Sequence, residues 1–184
     1  MRILLDIPWH QYALVVLLAE KMEEKKQWFG KTALQKFIFL LQTIYHVPCG
    51  YQFSLYIHGP FCSDLMADLD YVNSLQGVSI NFDSTANGYK ISPGKAGEIL
   101  KNKAEDFLTK YLGQINDMIE DFGSMRTRDL ELRSTAVYID RDIRESDRNL
   151  SRKEFIQEIK SIKPHFSEAE IECALTELEN KGFI

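Results

Sequence analysis

The stretch GVSINFDSTANGYKISP, residues 77–93, constrains the fold more than any other part of the sequence. Val78, Ile80 and Phe82 alternate with polar residues, and the same alternation returns after an Asn-Gly pair. A period of two on both sides of Asn-Gly is typical of two antiparallel strands joined by a tight turn. The sequence therefore predicts a β-hairpin here.

Three helices and one strand are predicted before this hairpin. Apolar residues recur at helical spacing in three segments, which are 6–26, 31–45 and 63–75. Asp6 and Pro8 fit the start of the first helix. Residues 51–58, YQFSLYIH, alternate as a half-buried strand does, and Gly59-Pro60 is expected to turn the chain. Ser63 is then placed to cap the third helix.

Helix, helix, strand, helix and hairpin is the element order of a winged helix-turn-helix domain. After it, Ser92-Pro93 is expected to start a long helix that reaches Phe122, and further helical patterns follow. The predicted fold class is therefore mainly α (α+β). Residues 1–93 are predicted to form a winged-helix domain with a two-stranded wing, and residues 94–184 a helical extension packed on it as one unit.

The composition favours a protein of the cytoplasm. The longest apolar run, ALVVLLA at 13–19, is far shorter than the roughly 20 residues that span a bilayer. The first residues do not have the pattern of a signal peptide. Three cysteines cannot all pair, which favours a reducing compartment, and we expect no contact with a membrane.

Two histidine–cysteine pairs are the sharpest candidates for chemistry. His46 with Cys49 and His58 with Cys62 have spacings that zinc ligands use. The predicted strand between the pairs would separate them by roughly 25–30 Å, which is too far for one metal site. A Cys62–His58 dyad would need a third orienting group that the sequence does not offer. We therefore predict no catalytic residue, no metal site and no cofactor, and Cys49 and Cys62 are expected to be buried.

The charge pattern of the predicted winged helix disfavours ordinary DNA reading. The whole chain carries a formal net charge of −5. The helix before the wing carries Asp64, Asp68 and Asp70 and no basic residue. Three carboxylates would repel the phosphate backbone that supplies much of the affinity for DNA.

Arginines are concentrated in the second half of the chain. Seven of the eight fall within 27 residues, and six acidic residues are interleaved with them. Salt bridges within or between chains are one interpretation, and a surface for an acidic partner or a nucleic acid is the other. The arginines concerned are Arg126, Arg128, Arg133, Arg141, Arg144, Arg148 and Arg152.

Aromatic and apolar residues are expected mainly in the core. Trp9 and Trp28 are interpreted as core residues rather than as ligand platforms. The apolar positions of the long helix fit either packing within the chain or a homodimer interface. These positions are Phe107, Tyr111, Ile115, Met118 and Phe122.

KTALQKFIFLLQ (31–42) and YQFSLYIHGPFCSDLMADLDYV (51–72) resemble the YwgA-like family, which combines a Lys-x-x-Leu-Gln-Lys helix with an aromatic strand and a Gly-Pro-aromatic-Ser turn. LELRSTAVYI (130–139) and the segment 162–184 are similar to the C-terminal part of that family, so the resemblance spans most of the chain. More distantly, the chain looks like the Panacea domain of SocA-type antitoxins and adaptors. That resemblance implies a regulator that binds another protein. The residues that carry the resemblance are Lys31, Leu34, Gln35, Lys36, Tyr56, Gly59, Pro60, Phe61, Ser63 and Leu65.

The sequence therefore predicts a non-enzymatic cytoplasmic regulatory or adaptor protein that acts through a protein partner. One alternative is a winged-helix transcriptional regulator that contacts DNA through its arginines. A third hypothesis is an enzyme or metal protein built around His58 and Cys62.

Overall fold

The computed structural model describes residues 7–184, in which the chain is mainly helical, as predicted, with two small antiparallel sheets. Asp6, part of the predicted helix start, lies outside the described residues, and the first helix follows Pro8. Among residues 7–184, no helix combines the length and the apolar character that a membrane crossing requires. In chain order the elements are α1 (Trp9–Glu24), α2 (Lys31–Thr43), β1 (Ser54–Tyr56), β2 (Gly59–Phe61), α3 (Ser63–Ser74), β3 (Val78–Asp83), β4 (Gly88–Pro93), α4 (Gly97–Asn102), α5 (Glu105–Phe122), α6 (Thr127–Glu145), α7 (Arg152–Ile162) and α8 (Glu168–Asn180).

The chain divides into two compact units. The first runs to Gln52 and resumes over Cys62–Ser124, and the second comprises Phe53–Phe61 and Met125–Ile184. This division differs from the predicted ranges 1–93 and 94–184. The reason is that α4 and α5 pack against helices of the first unit and bury Leu100, Ile115 and Ile119 there.

Helix α1 is buried on nearly all sides. Ala13, Leu14, Val15 and Val16 are consecutive, and none of them is exposed. Within the first unit α1 contacts α3, α4, α5 and the β3–β4 hairpin, so almost every direction meets another element. A helix that is apolar all round is typical of such a central position.

The predicted hairpin is confirmed. Strands β3 and β4 are antiparallel, with Ile80 opposite Ile91 and Phe82 opposite Tyr89. Asn87 adopts a φ of 49°, in the left-handed region that turns of this kind require. The Ile91 N–H donates to the Phe29 carbonyl oxygen at 2.8 Å, which joins the hairpin to the α1–α2 connection.

The strand predicted over 51–58 is shorter and turns earlier than predicted. Strand β1 pairs with β2, with Tyr56 opposite Gly59, so the turn consists of Ile57 and His58. Gly59 has a φ of 90° and begins β2 instead of turning the chain into α3. Pro60 fits β2 because a short edge strand tolerates a residue without an N–H donor.

Two predicted helix features are also wrong. Ser63 is the first residue of α3 and makes no capping hydrogen bond, since the cap position is Cys62. The single long helix predicted after Ser92-Pro93 is two helices, because α4 ends at Asn102 and α5 begins at Glu105. Gly97 brings α4 close to α1, where an added Cβ would lie 3.0 Å from Val16.

The second unit is built around α6. This helix contacts β2, α7 and α8, and it buries Leu130, Val137 and Ile139. Helices α7 and α8 each begin with a capping box, formed by Ser151 with Glu154 and by Ser167 with Glu170. Such boxes satisfy N–H groups that the first turn of a helix leaves unpaired.

Candidate functional site

Two glutamines on α2 hold the chain where it leaves and rejoins the first unit. Gln35 donates from Nε2 to the Cys62 carbonyl oxygen at 2.8 Å, and its Oε1 accepts from the Cys62 N–H at 2.9 Å. Gln42 makes the same pair with the backbone of Tyr51, at 2.8 and 3.1 Å. Seven residues are about two helical turns, so both amides lie on one face of α2. The two amides therefore hold the backbone of Tyr51 and of Cys62, on either side of the segment Phe53–Phe61.

The two hydrogen bonds to Cys62 give a physical role to Gln35, the glutamine of the Leu-Gln-Lys motif. Sequence reasoning missed Gln42, although its spacing from Gln35 was a signal that could have found it. The remaining signature residues lie in different environments. Leu34, Lys36, Gly59, Pro60 and Leu65 are buried, Lys31 and Phe61 are partly buried, and Tyr56 and Ser63 are exposed.

The histidine and cysteine candidates for chemistry are not grouped as a metal site. Cys49 and Cys62 are buried, as expected, and burial raises the pKa of the Cys49 thiol to about 12. His58 belongs to the second unit and Cys62 to the first. Within residues 7–184, no three His, Cys, Asp or Glu side chains lie together in a way that could hold a metal ion.

One of the three carboxylates of α3 is engaged inside the first unit. The Tyr51 hydroxyl donates to Asp68 at 2.7 Å. Burial, followed by this hydrogen bond, raises the pKa of the Tyr51 hydroxyl far above its usual range. Burial also raises the pKa of Asp68. Asp64 and Asp70 remain exposed, so α3 still presents acidic groups to the solvent.

In the part of the chain that the structure describes, five of the seven clustered arginines form ion pairs within the second unit. Arg126 lies at the N-cap of α6, and Arg141 is partly buried on the same helix. A paired guanidinium is less available to a phosphate or to a partner carboxylate, although a binding surface here stays a prediction. The pairs are Arg128 with Glu170, Arg133 with Glu177, Arg144 with Asp140, Arg148 with Asp142 and Glu158, and Arg152 with Glu172 and Glu179.

The Arg128–Glu170 pair predicts a pH dependence at the start of α8. The hydrogen bond from Arg128, together with those from Ser167, lowers the pKa of Glu170 from 4.5 to about 2. The carboxylate therefore contributes stability that is present above pH 4.5 and is lost as the pH falls towards 2. We expect a ¹³C NMR titration of the Glu170 carboxyl to show a midpoint near 2. We also expect the protection of the α8 amides against hydrogen exchange to fall over the same pH range in the wild type and not in Glu170→Gln. Glu24→Gln controls for net charge, and a wild-type midpoint near 4.5 would contradict the prediction.

A buried carboxylate on α6 organises the loops of the second unit. Glu131 and Lys163, with side chains only 9% and 2% exposed, form an ion pair with an Oε1–Nζ distance of 2.8 Å. Lys163 also donates to the carbonyl oxygen of Ile57, at the tip of the β1–β2 hairpin. His165 and His58 lie at the outer side of the carboxylate, 3.4 and 3.6 Å from its oxygens. The ammonium group is therefore enclosed, and it joins the Glu131 carboxylate on α6 to the backbone of the β1–β2 hairpin.

Sequence reasoning did not find this cluster. Glu131 counted only as one of the acids among the arginines, and Lys163 was not singled out. The residues are separated by 32 positions for the ion pair and by 106 for the Lys163–Ile57 hydrogen bond. No local spacing could have connected them.

An exposed aromatic cluster lies where the α1–α2 connection meets the hairpin. Trp28, Phe82 and Tyr89, which we call the aromatic surface, are 40%, 56% and 52% exposed. Phe82 and Tyr89 face each other across β3 and β4 in an edge-to-face arrangement, with ring centroids 5.4 Å apart. The indole of Trp28 lies against two glycines, since an added Cβ would be 3.1 Å from its Nε1 at Gly30 and 3.5 Å from its Cζ2 at Gly88. The prediction that Trp28 belongs to the core is therefore wrong.

Positive charge adjoins the aromatic surface. The Nζ of Lys31 lies 5.1 Å from the centroid of the Tyr89 ring, within the range of a cation–π interaction. Lys26, two positions before Trp28, is exposed. Among residues 7–184, neither lysine forms an ion pair, and the Trp28 indole N–H has no hydrogen-bond acceptor. The surface therefore combines three half-exposed rings with hydrogen-bond donors that are not used within the chain.

Comparisons with protein-family models, with curated proteins and with solved structures give no match for this chain. The resemblance to the YwgA-like and Panacea families stays a prediction.

Proposed function

We propose that the protein is a non-enzymatic regulatory or adaptor protein of the cytoplasm, and that it binds a protein partner through the aromatic surface. The observation that carries this proposal is the exposure of the Phe82–Tyr89 ring pair, with the exposed indole of Trp28 lying against Gly30 and Gly88 beside it. Large aromatic side chains dominate the energetics of protein interfaces and are costly to leave in water. The resemblance to the Panacea domain agrees with a role that depends on a partner.

The proposal includes a winged-helix fold for the first unit. Its support is the order of α1, α2, α3, β3 and β4, in which the hairpin has the position of a wing. Strand β1 departs from that arrangement, because it pairs with β2 and belongs to the second unit. On this proposal the wing carries Phe82 and Tyr89 and acts as a platform for a partner.

A protein partner fits this unit better than duplex DNA does. The exposed carboxylates Asp64 and Asp70 lie on α3, the helix that a winged helix usually places in the major groove. Phosphates would meet negative charge there, whereas rings at the wing favour contacts with apolar side chains.

The test is capture of partners from the native host by the wild-type chain and by the double variant Phe82→Ser with Tyr89→Ser. A central aromatic residue of an interface typically contributes about 2 kcal/mol, which is roughly 30-fold in affinity. We therefore expect the loss of both rings to weaken binding of a captured partner between roughly 30-fold and roughly 1,000-fold. Ile99→Ser is the matched control, since it removes another exposed apolar side chain, on α4. Equal capture by the wild type, the double variant and the control would contradict the proposal.

A further inference from the structure

We propose that the aromatic surface recognises an acidic peptide segment of its partner, with carboxylates next to apolar side chains. This inference rests on the proposed function, because it names the chemistry of the partner for the same surface. Two features of the surface carry it, and they are its unused donors and the small number of its cations.

The unused donors suit carboxylates. Lys26 and Lys31 are free of ion pairs among residues 7–184, and the Trp28 indole N–H has no acceptor there. An ammonium donates to a carboxylate in a strong, charge-assisted hydrogen bond, and an indole N–H can add a neutral one. A partner carboxylate beside the rings would therefore satisfy groups that the chain itself leaves unpaired.

Two other lysines close to this surface in the sequence are already engaged in ion pairs. Lys25 pairs with Glu120 at 2.9 Å, and Lys90 pairs with Glu23 at 3.0 Å. Asp83, at the end of β3, accepts from two backbone N–H groups of its own turn and forms no ion pair with Lys26 or Lys31. Lys31, in contrast, has its ammonium beside the Tyr89 ring and forms no ion pair among residues 7–184.

The number of cations favours a peptide over a nucleic acid. Proteins that bind nucleic acids through phosphates commonly use about 6–10 contacts, whereas this surface offers two free lysines. Two lysines match the charge of a short acidic segment. The rings can then cover one or two apolar side chains of that segment, as the aromatic residues of interfaces do.

The experiment uses the full chain and defined probes, followed by NMR of the Trp28 indole N–H and of the Lys31 and Tyr89 amides. The main probe is a peptide of about ten residues that mixes Asp and Glu with two Leu residues. Two matched peptides serve as controls, one with Lys in place of each acidic residue and one with Ser in place of each Leu. The fourth probe is a single-stranded DNA of about ten nucleotides. We expect shifts at these three groups with the main probe and at least roughly tenfold weaker binding of the others. Binding should also weaken as the salt concentration rises.

Variants connect this binding to the two lysines. Lys26→Glu combined with Lys31→Glu is expected to weaken binding of the main probe at least roughly tenfold. The control, Lys95→Glu with Lys110→Glu, makes the same change of net charge at other exposed lysines of the first unit and should leave binding unchanged.

Three results would overturn the inference. They are equal binding of the Lys-substituted peptide, equal binding of the DNA, and shifts that appear on concentrating the protein without any peptide, which would make a second copy the occupant. A further result is that the binding of a host protein falls in the variant Phe82→Ser with Tyr89→Ser and stays unchanged in Lys26→Glu with Lys31→Glu. That result would overturn the inference of an acidic segment and leave the proposed function intact.

Discussion

Replacing Gln35 with alanine is expected to lower the free energy of unfolding of the first unit by about 3 kcal/mol. The Gln35 side chain is only 2% exposed, and it satisfies both the N–H and the carbonyl of Cys62. Its removal leaves two buried backbone groups without partners, and each such group costs roughly 1–3 kcal/mol. Urea denaturation measures the effect through the shift of the midpoint at constant slope.

Gln42 provides a matched control, because it makes the same pair of bonds to Tyr51 from a partly exposed position. Water can replace the lost bonds there, so Gln42→Ala is expected to cost about 1 kcal/mol. Gln35→Met separates hydrogen bonding from side-chain volume, since methionine is similar in size but offers neither the donor nor the acceptor that Cys62 uses. If Gln35→Ala lowers the free energy of unfolding as little as Gln42→Ala does, the two buried hydrogen bonds between Gln35 and Cys62 do not stabilise the first unit more than the partly exposed pair does.

The elements that local patterning specifies are the ones that the sequence predicted well. The hairpin of β3 and β4 was predicted from the alternation around Asn87-Gly88. A tight turn and a half-buried strand each have a characteristic residue pattern within a short stretch of sequence. The start of α2 after Gly30 followed in the same way. The turn at Ile57-His58 was misplaced, because Gly59-Pro60 is a turn signal that here begins a strand.

Features that depend on distant residues could not be predicted. The position of α4 and α5 in the first unit depends on packing against α1 and α2, and their sequences do not encode that choice locally. The aromatic surface was missed for a related reason. An aromatic residue at 28 fits a core as well as a surface until the position of Gly88 and the hairpin is known. Buried ion pairs such as Glu131–Lys163 leave no trace in spacing at all.

Replacing Lys163 with methionine is expected to destabilise the second unit by about 3–5 kcal/mol. Methionine is similar in length, so the loss comes from electrostatics rather than from a cavity. Glu131 would remain buried without its ammonium partner, and the Ile57 carbonyl would lose its donor. We expect faster amide exchange over Phe53–Phe61 in this variant, together with a lower midpoint of unfolding. Lys153→Met, at an exposed position of α7, should change stability by no more than about 0.5 kcal/mol.

The double variant Glu131→Met with Lys163→Met distinguishes a costly unpaired charge from simple loss of contacts. Removing both charges abolishes the desolvation penalty, and replacing a buried ion pair by apolar side chains is often close to neutral. Only the unpaired Ile57 carbonyl remains, at roughly 1–3 kcal/mol. The double variant is therefore expected to be more stable than the Lys163→Met single variant, with a coupling energy of about 2 kcal/mol or more in the cycle. If the two single losses simply add, Glu131 and Lys163 are not energetically coupled, and the hairpin tip is held by Lys163 alone.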